Sequence, residues 1–100
     1  MHVLVGRFEL HIPYSRSLKE KRMIVKSLRG RIREKFEVSC SEVAMHDLHQ
    51  RSVIGVSAVG PDRVPLESLF EHISSFVEAN LDGELLTNDF EILDFAEEAR

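Results

Sequence analysis

The hydrophobic pattern between residues 15 and 36 predicts a long helix. An apolar residue recurs at steps of three, four and seven positions, at Leu18, Val25, Leu28, Ile32 and Phe36. These steps place the five side chains on one face of a helix with 3.6 residues per turn. Ser17 and Glu20 form a capping box, in which each side chain satisfies a free backbone N–H at the helix start. The helix is therefore expected to begin at Leu18.

The remaining pattern predicts four strands and a second helix. Alternation of apolar and polar residues indicates strands at 2–12, 38–45, 51–59 and 84–93. Apolar residues at helical spacing indicate the second helix, with Pro65 in its first turn and Asn80 as its C-terminal cap. The alternation of the second strand slips at Glu42 and Val43. A β-bulge would restore it, and without one Glu42 would point inward.

The order of these elements predicts the fold. The elements follow one another as strand, helix, strand, strand, helix and strand. This order forms a compact domain when a four-stranded antiparallel sheet carries both helices on one face. This is the ferredoxin-like α+β sandwich, βαββαβ. We expect a single domain over residues 1–100, in which residues 94–100 form a flexible acidic tail.

Composition agrees with this size and adds a charge asymmetry. Of the 100 residues 43% are hydrophobic, which suffices for one core, and the lone Cys40 excludes an internal disulfide. No run of apolar residues is long enough for a membrane span or signal segment, so we expect a soluble cytoplasmic protein. Residues 1–50 carry ten basic and six acidic groups, a net charge of +4, whereas residues 51–100 carry three and eleven, a net charge of −8. Such a separated charge can steer a polyanion to one face, or let two copies of the protein attract each other head to tail.

Positive charge is concentrated on the first helix. The segment 15–36 holds nine of the thirteen Lys and Arg residues but only two acids. Five of the cations fall within a sector of about 80° beside the apolar stripe: Lys19, Arg22, Lys26, Arg29 and Arg33. Lys19, Lys21 and Arg22 also stand where the helix dipole disfavours cations by roughly 0.3–1 kcal/mol each. This favours an anionic partner over the alternative, a solvated face neutralised by the protein's own acids. If these cations serve an anion, replacing them with Ala, Glu and Ala, in that order, should not destabilise the free protein.

Three segments should meet at one end of the sheet, because the first and second strands run in the same direction. They are the end of the first strand, the start of the basic helix and the hairpin before residue 51. The predicted anion-binding or nucleic-acid-binding residues are Arg16, Lys19, Lys21, Arg22, Lys26, Arg29, Arg33, His11, His49, Gln50 and Arg51.

Several short segments resemble those of the YlxP-like family of small bacterial proteins of unknown function. They are ELHIP, SLKEKR, VKSL and DLHQR, and the resemblance covers nearly the whole chain. It implies a ferredoxin-like fold and no established activity. Genes of the family often lie beside genes for translation initiation and ribosome maturation, which implies an RNA or ribosome setting. A Trp often precedes the hairpin Gln in the family; here His49 stands there, so a stacking role is not carried over.

Signals for catalysis and for cofactors are weak. His46, Asp47 and His49, with His11 and Cys40, do not match a metal-site spacing, and no glycine-rich phosphate loop or GxSxG turn is present. We therefore predict no catalytic residues, no metal, no cofactor and no small-molecule substrate. The predicted open sheet face also lacks the aromatic residues that stack bases in the RNA-recognition motif. The alternation assigns to this face Val3, Val5, Arg7, Glu9 and His11 of the first strand and Arg51, Val53, Gly55, Ser57 and Val59 of the third.

Two functions of different classes remain. The first is a non-enzymatic protein that binds RNA or the ribosome through phosphates along the basic helix. The second is a homo-oligomeric interaction module whose valine-bearing sheet face or edge forms the interface and whose basic helix meets an acidic protein partner.

Overall fold

Four strands and two helices form the fold, which a computed structural model describes over residues 1–96. They are β1 (His2–His11), α1 (Leu18–Lys35), β2 (Ser39–Ala44), β3 (Arg51–Gly60), α2 (Arg63–Asn80) and β4 (Glu84–Asp94). The strands pair antiparallel in the order β2-β3-β1-β4, so that β2 and β4 are the edges. Both helices cover the same face. The predicted ferredoxin-like α+β architecture is confirmed.

The core lies between the two helices and the covered face of the sheet. Phe8 of β1 and Phe70 of α2 stack with ring centroids 5.0 Å apart, and Phe90 of β4 lies 4.7 Å from Phe70. Full burial, as at Phe8 and Phe70, contributes on the order of 1.5–3 kcal/mol per side chain, whereas Phe90 is still 37% exposed. Of the predicted apolar stripe of α1, Val25, Leu28 and Ile32 are buried, and Leu18 and Phe36 are half-buried.

The ends of the helices follow local hydrogen bonding. Ser17 Oγ accepts from Glu20 N at 3.1 Å, which starts α1 at Leu18 as predicted. The Glu20 carboxylate accepts from Arg16 N rather than from Ser17 N. Helix α2 begins at Arg63, two residues before Pro65, and near its end Asn80 Nδ2 donates to Phe76 O at 2.8 Å. None of the described helices is long and apolar enough to cross a membrane.

Strand β2 contains the irregularity that its sequence pattern indicates. Its register against β3 shifts between Glu42 and Ala44, which leaves Val43 as the extra residue of a β-bulge. Val43 lies over Gly55 on the open face of the sheet. Because the bulge follows Glu42, it does not turn that residue outward. The Glu42 side chain points to the helix-covered face, with an exposed fraction of 12%.

Strand β4 extends one residue further than predicted. Asp94 is the last residue of β4, and Phe95 N donates to Met1 O at 2.8 Å. The predicted acidic tail therefore begins within a strand, and residues 97–100 of that tail lie outside the described residues.

Two glycines are expected to respond in opposite directions to replacement by alanine. A Cβ on Gly6 would lie 2.4 Å from Phe70 Cε1, inside the packed core, whereas a Cβ on Gly30 meets nothing within 4 Å. Gly6→Ala should therefore destabilise the protein by about 1–3 kcal/mol through overpacking. Gly30→Ala, on the exposed surface of α1, should stabilise it by about 0.5–1 kcal/mol. Urea denaturation of both variants checks this; two changes of the same sign would contradict it.

Candidate functional site

Lys21 is the central residue where α1, β2 and the β2–β3 hairpin meet. Its side chain is wholly buried, and its Nζ donates to the carbonyl oxygens of Met45, His46 and Arg51 at 2.9, 3.2 and 3.2 Å. The same ammonium lies 3.0 Å from Glu42 Oε2. The three ammonium hydrogens of Lys21 thus all have hydrogen-bond acceptors within the protein. The expectation that Lys21 contacts an external anion is wrong, because this residue fills a position of the buried stripe. Its replacement is therefore expected to destabilise the fold, contrary to the expectation from the sequence.

The ammonium of Lys21 also supports an unusual backbone conformation. Met45 has a φ of 61°, in the left-handed region that residues with a Cβ seldom adopt. Its carbonyl oxygen is the one nearest to Lys21 Nζ. Lys21 therefore fixes the start of the hairpin as well as the position of α1.

Gln50 performs a similar structural task on the other side of the hairpin. Its Nε2 donates to Pro13 O at 3.1 Å and to Ser15 O at 3.3 Å, while its backbone carbonyl accepts from Ile12 N at 2.8 Å. Both amide hydrogens are engaged with the loop between β1 and α1. Gln50 is therefore a residue that positions this loop, which corrects its predicted role as an anion ligand.

His11 and Arg51 lie at the expected end of the sheet but on its open face, away from α1. They are opposite each other in the register of β1 and β3. Arg51 donates to the Glu9 carboxylate, and His11 Nδ1 lies 3.9 Å from Glu84 Oε2. Both side chains thus have acidic neighbours on this open face. His49 is exposed in the hairpin.

Four other cations of α1 lie along one surface, which we call the basic cleft. It is a shallow cleft of about 260 Å³ between α1 and edge strand β2, and it is lined by Arg22, Val25, Lys26, Arg29, Arg33 and Glu42. Arg33 Nη2 donates to Cys40 O at 2.8 Å, which holds one cation against the strand edge. Arg16 and Lys19 are exposed and extend the positive surface toward the start of α1.

The one acid of the basic cleft does not cancel its charge. Glu42 Oε2 accepts from Ser52 Oγ at 2.7 Å and is paired with Lys21. Desolvation raises the pKa of Glu42, but the hydrogen bonds from Ser52 and Lys21 and the charges of Lys21 and His46 outweigh it. The pKa of Glu42 is therefore held below its ordinary value of 4.5. Its negative charge is compensated from within. Of the four cleft cations, Arg22, Lys26 and Arg33 are exposed and Arg29 is half-buried.

This pKa shift predicts an acid-dependent contribution to stability. A carboxyl whose pKa is lowered by folding stabilises the protein above its ordinary pKa, and that contribution is lost as pH falls through the folded pKa. Glu42→Gln should therefore be less stable than the natural protein at neutral pH, and the gap should narrow as pH falls below 4.5. Urea melts across this range measure the effect, with Glu78→Gln, an exposed site on α2, as the control. A gap independent of pH would refute the assignment.

Cys40 has the surroundings of a core residue. It is 5% exposed and belongs to the hydrophobic cluster. Burial raises the pKa of its thiol, against the smaller opposing effect of the Arg29 and Arg33 charges. A nucleophilic cysteine requires a lowered pKa. Over residues 1–96, no group of three His, Cys, Asp or Glu side chains is arranged to hold a metal ion.

The open face of the sheet has the composition that the alternation predicts. Val3 lies between Val59 and Leu93 in one row across three strands, and Val5 lies in the next row. Val5, Val59 and Leu93 are 45%, 65% and 50% exposed. The row after Val5 holds an ion pair, in which Arg7 Nε lies 2.8 Å from Asp89 Oδ1. This face is therefore apolar at one end and charged toward the other.

These features define a small ferredoxin-like α+β protein with a basic cleft beside its first helix. Residues 3–90 match the model of the family described as protein of unknown function, DUF503, and the chain belongs to this family. It is similar to the uncharacterized protein YlxP of Bacillus subtilis (strain 168), with 38% identity over 63 residues, which cover 63% of this chain and 68% of that protein. The resemblance indicated by the sequence motifs is confirmed. Two of these motifs, SLKEKR and DLHQR, supply Lys21 and Gln50, which join α1 to the hairpin.

Proposed function

We propose that this protein is a non-enzymatic, cytoplasmic RNA-binding protein that holds structured RNA, such as ribosomal RNA, by its phosphate backbone in the basic cleft. The observation that carries the proposal is the set of four cations, Arg22, Lys26, Arg29 and Arg33, beside an acid that is neutralised from within. Neutralisation of phosphates releases counterions, which supplies most of the sequence-independent affinity of such proteins.

The shape of the basic cleft favours the backbone over the bases. Arg22 and Arg33 are eleven residues apart on α1, so the row of cations extends about 16 Å at a rise of 1.5 Å per residue. None of the six residues that line the cleft is aromatic. Stacking of unpaired bases along its length is therefore not available, and contacts from Arg and Lys to phosphates position an RNA without selecting its sequence.

The distribution of charge over the molecule also favours one orientation of the bound RNA. The described part of the second half carries two cations, Arg51 and Arg63, and nine acids, and β4 at the opposite edge of the sheet bears four of those acids. A polyanion is repelled by that edge and attracted to the α1–β2 edge. This charge distribution favours one orientation of the protein on RNA.

Crosslinking in cells, followed by identification of the attached RNA, tests the proposal. We expect structured RNA above background, together with co-sedimentation with ribosomes that is lost as salt is raised. Recovery of no RNA, with no co-sedimentation at low salt, would overturn the proposal.

The exposed valines favour a second candidate, a homo-oligomeric interaction module. Val5, Val59 and Leu93 form an apolar area on the open face that a second copy could cover, while the basic cleft would meet an acidic protein. Analytical ultracentrifugation over a range of protein concentrations tests this candidate. A species that is monomeric at tens of micromolar, roughly the scale of a weak interface, would remove the self-association.

A further inference from the structure

Tyr14 is the most exposed aromatic side chain of the described residues. It lies in the short loop between β1 and α1, and its exposed fraction is 72%. Five of the six phenylalanines contact another phenylalanine ring, and they are Phe8, Phe36, Phe70, Phe76 and Phe90. Phe90 and Phe95 are 37% and 61% exposed, and the exposed fraction of Tyr14 exceeds both.

The loop that carries Tyr14 is nevertheless held firmly on both sides. Gln50 Nε2 donates to the carbonyl oxygens of Pro13 and Ser15, the two neighbours of Tyr14. Ser15 is wholly buried, its N donates to Ile12 O at 3.2 Å, and its Oγ donates to Ser17 O at 3.1 Å. A side chain on a fixed backbone loses less conformational entropy when it binds a partner. Tyr14 is thus presented in a preorganised position.

Tyr14 lies close in the chain to the cations of the proposed RNA site. Arg16 is two residues further along the chain, within about 7 Å along the backbone. It is exposed, as is Lys19 in the first turn of α1, and the basic cleft begins one turn later at Arg22. A planar aromatic ring beside a row of cations is the arrangement that takes a nucleotide, with its base on the ring and its phosphates on the cations.

We propose that Tyr14 stacks an unpaired base next to a duplex whose phosphates occupy the basic cleft. This inference rests on the proposed function and makes it more specific. The cleft itself has no ring for a base, so it suits the paired region, whereas Tyr14 lies beyond the helix start, where an unpaired nucleotide would follow. The ligand is then a junction between double-stranded and single-stranded RNA.

Tyr14 supplies its own spectroscopic signal. The chain contains one Tyr and no Trp, so its tyrosine emission comes from this residue alone. We would measure the fluorescence lifetime of Tyr14 with a blunt RNA duplex and with the same duplex carrying an unpaired overhang at its 5′ or 3′ end. The lifetime is used because absorption of light by the RNA does not alter it. Contact with a base should shorten the lifetime with the overhang and leave it nearly unchanged with the blunt duplex.

Affinities of matched variants complete the test. One overhang should bind about tenfold more tightly than the blunt duplex, on the scale of a single stacked base. Tyr14→Ala should lose this preference and keep its affinity for the blunt duplex, whereas Tyr14→Phe should retain the preference. Equal affinities for the RNAs, with an unchanged Tyr14 lifetime, would overturn this inference alone. Binding of neither RNA at low salt would overturn the proposed function and this inference together.

Discussion

Replacement of Lys21 by methionine is expected to destabilise the folded protein by about 3–5 kcal/mol. The change removes one member of a buried ion pair and leaves Glu42 charged with an exposed fraction of only 12%. It also removes the donor from the carbonyl oxygens of Met45, His46 and Arg51. Buried acceptors without a donor cost free energy that the apolar methionine does not return. Urea denaturation at neutral pH measures the loss.

The matched control for this variant is Lys19→Met. Lys19 is exposed in the same turn of α1, so its replacement should change the free energy of unfolding by no more than about 0.5 kcal/mol. Lys21→Glu should be more harmful than Lys21→Met, since it places a second carboxylate beside Glu42. If Lys21→Met were as stable as the natural protein, the ammonium would not be the support of the hairpin.

Reversal of two charges in the basic cleft is expected to reduce RNA affinity by on the order of a hundredfold at low salt. The variant is Arg22→Glu with Lys26→Glu. Each reversal removes a phosphate contact and adds a repulsion, and we expect roughly tenfold from each, which corresponds to about 1.4 kcal/mol. Both residues are exposed, so the free energy of unfolding should change little. Anisotropy of a labelled RNA duplex measures the affinity.

The first helix offers a control with the same change of net charge. Arg31 and Lys35 lie on the flank of α1 that faces α2. The Arg31 Cζ and Lys35 Nζ atoms are 5.8 and 5.3 Å from the ring centroid of Phe76. Arg31→Glu with Lys35→Glu should weaken RNA binding much less than the cleft variant. Equal losses in the two double variants would show that only the total charge matters, and the assignment of the cleft would be wrong.

Local rules predicted most of the fold because they act over a few residues. The capping box located the start of α1, and the steps of three and four located its buried stripe. Alternation located the strands and assigned Val3, Val5, Val53 and Val59 to the open face. The strand order followed from the compact topologies that this succession of elements allows.

The incorrect predictions concern residues whose partners are distant in the chain. Lys21 stands in the spacing of the apolar stripe, three residues after Leu18 and four before Val25, and Glu42 breaks the alternation of its strand. Each is a charge at a core-facing position. The two signs are complementary, and this is the signal that could have identified the pair. Their contact becomes certain only once α1 is packed against β2.

The meeting of three segments at one end of the sheet was predicted correctly, but not the face on which each side chain lies. Chain direction correctly brought the start of α1, the end of β1 and the hairpin together. Direction along a strand does not say which face a side chain occupies, and the alternation already assigned His11 and Arg51 to the open face. The preorganisation of Tyr14 depends on Gln50, which lies 36 residues away in sequence. No local pattern indicates such a hydrogen bond.

The salt dependence of RNA binding tests the central claim most directly. We would measure the affinity of the natural protein and of the Arg22→Glu, Lys26→Glu variant for one RNA duplex over a series of salt concentrations. If the basic cleft holds phosphates, the logarithm of affinity should fall steeply with the logarithm of salt for the natural protein. The slope of the variant should be shallower by about one unit for each lost contact. Absence of RNA binding at low salt, or the same slope in both proteins, would contradict the claim.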